Sequence, residues 1–335
     1  MIEKSKYISL KNYVPTGIPS ENDFMMKEEE IELSNSKNVM VDNIWISVDP
    51  YMRARMTEKK NYKEPFVIGK PMEGAAVGVV KKTNSNKFNI GDYILSNCGW
   101  RNKFVEVDNN LHKLNTENFS LQSYLGPLGM NGHTAYIGLF KIGQLKKNQT
   151  VLVSAAAGSV GSLVCQIAKL HGCKVVASTG SDNKVQWLKN ELKVDYAFNY
   201  KKTENLVLKL KEIMPEGFDL YFDNVGGEFL EAAIFRMKNY GNIVICGRIS
   251  QMNSTKTPEG LKNMAHVLVK RLTIRGFLIF DHLDENINFQ NDMSKWLKNK
   301  KIITKETVYE GLDKAPKAFI DLLNGKNIGK MLIKI

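Results

Sequence analysis

The chain has 335 residues, of which 43% are hydrophobic and 24% charged, with a formal net charge of +12. That length is generous for one core and comfortable for two domains, and the composition excludes a disordered or fibrous chain. No apolar run reaches bilayer-spanning length, and the start Met1-Ile2-Glu3-Lys4-Ser5-Lys6 lacks an apolar signal region, so a cytoplasmic protein with no membrane partner is expected.

The lysines are spread along the whole chain and form no long basic run. A solvated surface accounts for them, and no aromatic–basic motif points to nucleic acid. Cys98, Cys165, Cys173 and Cys246 contain no close pair, so neither a zinc spacing nor a disulfide framework is expected.

Residues 1 to about 125 read as short β-rich pieces. Asn43–Val48 alternates and stops at Asp49-Pro50, Gly74–Val80 is a small-residue strand, Phe88–Asp92 is a turn before Tyr93–Leu95, and Phe104–Val107 alternates again. A barrel-like domain is expected. From residue 126 helix and strand alternate. Strands are expected at 151–154, 174–178, 196–198, 219–223, 242–246 and 272–280, and helices at 160–171, 183–191, 203–214, 228–238 and 261–270. That is the strand count of a complete doubly wound dinucleotide domain. A helix at 288–299 follows, then a strand at 305–309, a helix at 312–324 and a strand at 330–335. The tail is expected to return to the first domain, giving 1–125 with 303–335 as one domain and 126–302 as the other.

The segment Ser154-Ala155-Ala156-Ala157-Gly158-Ser159-Val160-Gly161 lies between the apolar run Val151–Val153 and an amphipathic stretch to His171. A second apolar run, Lys174–Ser178, completes a βαβ unit. Such a turn exposes backbone N–H groups at a helix N-terminus to a pyrophosphate, and small residues let the phosphates approach. An NAD site usually ends its second strand with an acidic residue that accepts from the ribose 2′-OH. Here that strand ends Ser178-Thr179-Gly180-Ser181, and Asp182 comes too late. Lys184 alone reads as an exposed helix residue. After the Ser-Thr-Gly-Ser run, hydroxyls, backbone N–H groups and this ammonium suit a 2′-phosphate, so NADP(H) is expected.

A zinc alcohol dehydrogenase would need three thiol or nitrogen ligands around one open position. The first domain offers only Cys98 among thiols. His112 and His133 are isolated, and the stretch Gly69-Lys70-Pro71-Met72-Glu73-Gly74 lacks a Gly-His-Glu context. No metal site is expected. Hydride delivery to an already electrophilic carbon is the natural alternative to polarising an alkoxide.

Several motifs in order carry a family resemblance over about residues 39–335. They are Ser47-Val48-Asp49-Pro50-Tyr51-Met52-Arg53, Leu128–Tyr136, the Ala-rich turn, Ala197–Lys201, Tyr221–Gly227, Cys246–Gln251 and Gly325–Lys330. The chain resembles the NADP-dependent alkenal/one double-bond reductases, a zinc-independent group of medium-chain dehydrogenases/reductases. The resemblance implies an α/β fold, a Rossmann doubly wound parallel sheet plus a GroES-like β-rich domain. It implies Ala157, Gly158, Val160 and Gly161 under the pyrophosphate, and Ser181, Lys184 and Tyr200 around the 2′-phosphate and adenosine end. Asn224 and the loop Gly247, Ile249, Ser250 would approach the cofactor path. Phe277, Leu278 and Ile279 would contact the nicotinamide amide, and Asn327 the nicotinamide ribose.

Tyr51 beside Pro50 would read alone as a packing residue. The motif makes it the tyrosine facing the substrate carbonyl. Met252, and the stretch Asp281-His282-Leu283-Asp284-Glu285-Asn286, stand where relatives often carry tyrosines, which leaves the proton donor open. The implied substrate is a small-molecule α,β-unsaturated carbonyl, the implied reaction NADPH-dependent C=C reduction, and the implied assembly a homodimer. Quinone reduction on the same scaffold, and a non-catalytic NADPH- or RNA-binding role, are the alternatives.

Overall fold

The computed structural model describes residues 2–34, 36–255 and 260–335. The chain divides into two compact units, Met1–Leu125 with Glu306–Ile335, and Gly126–Lys305. The second boundary lies three residues beyond the one read from sequence.

The first unit opens with an antiparallel pair, β1 (Glu3–Leu10) and β2 (Phe24–Ile31). β3 (Asn38–Val48) then runs into a 3-10 turn, Pro50–Arg55. The strands β4 (Ala76–Thr83), β5 (Tyr93–Ser96), β6 (Lys103–Val107) and β7 (His112–Lys113) follow. The β1–β2 pair was not read in the sequence, because β2 (Phe-Met-Met-Lys-Glu-Glu-Glu-Ile) carries too many charges to alternate cleanly.

The second unit begins with α1 (Met130–Ile137) and a wider π-type turn, Gly138–Ile142. β8 (Thr150–Val153), α2 (Ser159–Leu170), β9 (Lys174–Thr179), α3 (Asp182–Asn190) and β10 (Tyr196–Asn199) form the first half of the wound domain. The second half is α4 (Leu206–Ile213), β11 (Phe218–Asp223), α5 (Gly227–Arg236), β12 (Met237–Ile245), α6 (Ile249–Met252), α7 (Met264–Lys270) and β13 (Thr273–Gly276). A 3-10 turn, Ile279–Glu285, leads into α8 (Asn286–Lys298). The strand order is β10-β9-β8-β11-β12-β13, with every neighbouring pair parallel. All four β8 residues are buried, as expected of a central parallel strand covered on both faces.

Three expectations need correction. The strand read at 272–280 ends at Gly276, because its partner β12 ends at Ile245, directly opposite. With no ladder to join, Phe277–Ile279 leave the sheet. The helix read from residue 203 starts at Leu206, where the Asn205 side chain accepts from Leu208 N and fixes the N-terminus. β12 starts at Met237, inside the segment read as helix 228–238. α1 was not read as an element. Its Gly132 is required by close approach, since a Cβ there would lie 1.8 Å from the Pro127 carbonyl oxygen.

The tail adds β14 (Glu306–Glu310), α9 (Ala315–Leu323) and β15 (Lys330–Lys334) to the first unit. The larger sheet there runs β14-β15-β3-β4-β5-β7, with β6 also paired to β3. β15 lies antiparallel to β3 with Met331 opposite Val48. The core beneath gathers Trp100, Phe24 and Phe319, with ring centroids 6.0–6.4 Å apart, and Tyr51 packs against it. Among the described residues no helix is long and apolar enough to cross a membrane.

Candidate functional site

In the wound unit the strand order reverses between β8 and β11, the place where such sheets bind ligands beyond their C-terminal ends. β8 delivers Ser154 and the turn to α2. Gly158 is the N-cap of α2 and no side chain caps it. The N–H groups of the first helical turn therefore lack an intrahelical or capping partner, and they attract an anion. Ala157 is buried, while Gly158 and Val160 are half-buried. Gly161 is demanded by packing, because a Cβ there would sit 2.5 Å from the Ala155 carbonyl oxygen and 2.8 Å from Ala156 Cα. Any larger residue would force helix and turn apart.

β11 brings Asp223 and Asn224 to the same end. Asn224 donates from Nδ2 to the Ser154 carbonyl (2.8 Å) and from its backbone N to Ser154 Oγ (3.0 Å). Asp223 Oδ1 accepts from the Tyr221 hydroxyl (2.6 Å) and from the N–H groups of Val225 and Gly226 (both 2.9 Å). Burial pushes the Asp223 carboxyl up, and these donors partly offset it. The loop after β12 folds onto this structure. Gly247 N donates to the Asp223 carbonyl, Ile249 N to the Asn224 carbonyl, and Ser250 N and Oγ to the Val225 carbonyl. Asn224, Gly247, Ile249 and Ser250 thus form one hydrogen-bonded ledge beside Ser154. The sequence reading missed Asp223 as its organiser. The signal was a carboxylate at the end of the apolar strand Leu220–Phe222.

At the end of β9, Ser181 is the N-cap of α3 and Lys184 lies in its first turn. Lys184 is 9% exposed, and burial, with Lys201 nearby, pushes its ammonium down to about 8. Tyr200 and Lys201 flank Gly180, whose added Cβ would meet them at 3.3–3.4 Å. Asp182 turns away to pair with Lys202 (2.5 Å) and accepts from Asn199 Nδ2 (2.9 Å). Two crowded ammonium groups, a hydroxyl and a helix N-terminus, where Lys184 N donates to Asn183 Oδ1 (2.8 Å), make a site that gains from a dianion. These residues fit a 2′-phosphorylated dinucleotide, and Lys201 joins the cations read from sequence.

Phe277, Leu278 and Ile279 follow β13 as a turn rather than a strand. The Phe277 ring packs over Gly138, and Ile279 is buried. His282 lies on the next turn with its ring 6.3 Å from Phe277. Met252 ends α6.

Tyr51 and Asn327 belong to the first unit. Tyr51 sits on the 3-10 turn after β3 and is half-buried, with Lys63 Nζ 5.3 Å from its ring centre. Burial raises its phenol, the Asp49 carboxylate raises it further, and the Arg55 guanidinium opposes both. Among the described residues its hydroxyl makes no hydrogen bond. Asn327 is 7% exposed, and its Nδ2 donates to the Gly329 carbonyl (2.8 Å) in the turn that enters β15. Because β15 pairs with β3, this turn and the Tyr51 turn lie at one end of the same sheet.

Among the described residues no three of His, Cys, Asp or Glu gather in a metal-holding group. Burial pushes the Cys98 thiol up to about 12, away from the thiolate a metal would take.

Two family models match. One, described as the N-terminal domain of oxidoreductase, covers residues 6–114, and one described as zinc-binding dehydrogenase covers residues 159–299. An NADP(+)-dependent 2-alkenal reductase from Nicotiana tabacum is 41% identical over 99% of this chain and 97% of its own. Prostaglandin reductase 1 from Bos taurus is 40% identical over the full length of both chains. The crystal structure of CurA from Vibrio vulnificus in complex with NADPH is similar at a TM-score of 0.92 and 36% identity, covering 98% of each chain. With its wound dinucleotide unit, its β-rich unit and likeness over its whole length, the chain belongs to the zinc-independent medium-chain dehydrogenases/reductases, in the group of NADP-dependent alkenal, prostaglandin and curcumin reductases.

Proposed function

We propose that the protein reduces the C=C bond of α,β-unsaturated aldehydes and ketones with NADPH, which when bound supplies a hydride to the β-carbon. The observation that carries this reading is the likeness, over nearly the whole of both chains, to an NADP(+)-dependent 2-alkenal reductase. The uncapped N-terminus of α2 at Gly158, with Ala157, Val160 and Gly161, would hold the pyrophosphate. Ser181, Lys184, Tyr200 and Lys201 would hold the 2′-phosphate by charge-assisted hydrogen bonds. The ledge of Asn224, Gly247, Ile249 and Ser250, and the segment Phe277–Ile279, would orient the rest of the cofactor. Asn327, one of whose amide N–H groups donates to the Gly329 carbonyl, would reach the nicotinamide ribose with its other N–H or its Oδ1.

Hydride addition to an enal leaves negative charge on the former carbonyl oxygen. The Tyr51 hydroxyl, which has no hydrogen-bond partner among the described residues, would donate to that oxygen as the charge develops. Its raised pKa keeps the proton on the phenol, so it acts as a donor across the neutral range. Orientation and oxyanion stabilisation supply the rate, and solvent or an acidic side chain protonates the α-carbon.

The assembly we propose is a homodimer joined at β13. β13 ends the sheet order, and Leu268 (78% exposed), Tyr240 (70%) and Val269 (64%) lie exposed on the elements before it. Light scattering that finds a monomer removes the dimer. A cytoplasmic location belongs to the same reading, and cell fractionation checks it. The activity is tested by NADPH oxidation with a panel of 2-alkenals, aliphatic enones and quinones. Turnover of the alkenals and enones is expected. Turnover of quinones alone would replace the assignment with quinone reduction, and no turnover would end it.

A further inference from the structure

Lys330 opens β15 and lies buried beside the Tyr51 turn. Its Nζ donates to the Val48 carbonyl (2.9 Å) and to Asp49 Oδ1 (2.7 Å), with the two charged side chains 5% and 4% exposed. The Ser47 hydroxyl donates to the other carboxylate oxygen, Asp49 Oδ2. An Asp before Pro at the head of a helical turn would ordinarily cap that turn with its side chain. Here it does not; the carboxylate faces Lys330 and Ser47 instead, and only the Asp49 backbone carbonyl serves the turn, accepting from Met52 N.

Burying an ion pair is costly, and apolar replacements often match its stability. Nor is the pair needed to seat β15, since the ladder from Met331↔Val48 to Lys334↔Trp45 already does so. The pair stands two residues from Tyr51. The other charged or titratable groups acting on the phenol are Arg55, whose Nη2 pairs with Glu73 (2.7 Å), Tyr62 and Glu73 itself, with Lys63 over the ring. Asp49 is the strongest charge opposing negative charge at that position.

We propose that Lys330 and Asp49 are a positioning pair for Tyr51. Lys330 holds the end of β3 so that the 3-10 turn presents the hydroxyl in one orientation. Its charge also cancels that of Asp49 while the substrate oxygen turns negative. The proposal rests on Tyr51 being the oxyanion donor. Oxyanion stabilisation would then depend on a lysine 279 positions away in sequence, brought there by the strand the tail contributes.

The test uses the full chain with NADPH and a 2-alkenal. Lys330→Met should lower kcat about tenfold or more, leave NADPH affinity unchanged by fluorescence titration, and show wild-type-like circular dichroism. Adding Asp49→Asn should bring kcat to within about threefold of wild type, and Lys330→Arg should retain most of it. Lys330→Gln keeps a donor to Val48 without the charge; should Lys330→Met not fold, Lys330→Gln is expected to show the same loss, relieved in the same way by Asp49→Asn. A wild-type kcat in the uncharged variants overturns the pair. So does a loss that Asp49→Asn does not relieve. Tyr51→Phe separates the two readings: wild-type turnover there removes Tyr51, whereas slow turnover beside an unaffected Lys330→Met removes only the pair.

Discussion

The glycine turn Ser154–Gly161 and the tyrosine turn Asp49–Arg55 both follow a strand and both open a helical turn, yet they are built from different material. The first offers backbone. Its donors are N–H groups, and its side chains are small so that helix, strand and ligand can approach. The second offers one hydroxyl, and in our proposal its orientation and field come from Asp49 and from Lys330, a residue remote in the chain. A site made of backbone tolerates change in its neighbours and fails when a side chain intrudes. A site made of one side chain fails when that atom, or the charge behind it, is removed.

The comparison predicts different kinds of damage. The largest effect belongs to Tyr51→Phe, which should lower kcat on 2-alkenals by about 10–1000-fold with NADPH affinity intact. Wild-type turnover would mean that the tyrosine turn is only packing. Next is Lys184→Ala, which removes a charge-assisted hydrogen bond and should raise the KM for NADPH about 10–100-fold while changing that for NADH little. Equal loss for both cofactors would place the 2′-phosphate elsewhere.

The pH dependence sharpens the same point with a smaller effect. Lys184 titrates near 8 in the folded chain against an ordinary 10.5, so between those values the unfolded chain binds more protons. Stability of the cofactor-free protein should therefore rise with pH across that window. A bound phosphate needs the ammonium charged, so NADPH affinity should weaken as pH rises through about 8, and NADH affinity should not. Calorimetry across that range with both cofactors checks the sign. The smallest effect is Gly161→Ala. The added methyl meets the Ala155 carbonyl oxygen at 2.5 Å and should cost about 1–3 kcal/mol of stability, read by thermal melting. An unchanged melting temperature would show that the turn is looser than its packing implies.

What the sequence disclosed follows the same division. The Ala-Gly turn announced itself because glycine and alanine are needed wherever backbone meets backbone, and that requirement is local. The strands β8 to β12 were legible because a parallel strand covered on both faces reads as an apolar run. The end of β13 was not, because Phe277–Ile279 is as apolar as a strand and only the length of β12 decides that it leaves the sheet. Lys184 was singled out as a candidate by the Ser-Thr-Gly-Ser run before it, whereas its lowered pKa comes from burial and then from Lys201, which arrives from the end of β10, and neither is local to that run. Asp49 and Lys330 each look like ordinary surface charges in sequence. Only the pairing of β15 with β3 brings them together.

The most direct test of the central claim follows the hydride itself. The enzyme would be given NADPH carrying deuterium at the transferable position and a 2-alkenal, and the product analysed by mass spectrometry and NMR. The account predicts a saturated aldehyde with deuterium on the former β-carbon. Deuterium on the carbonyl carbon of an allylic alcohol, or none in any product, would contradict it.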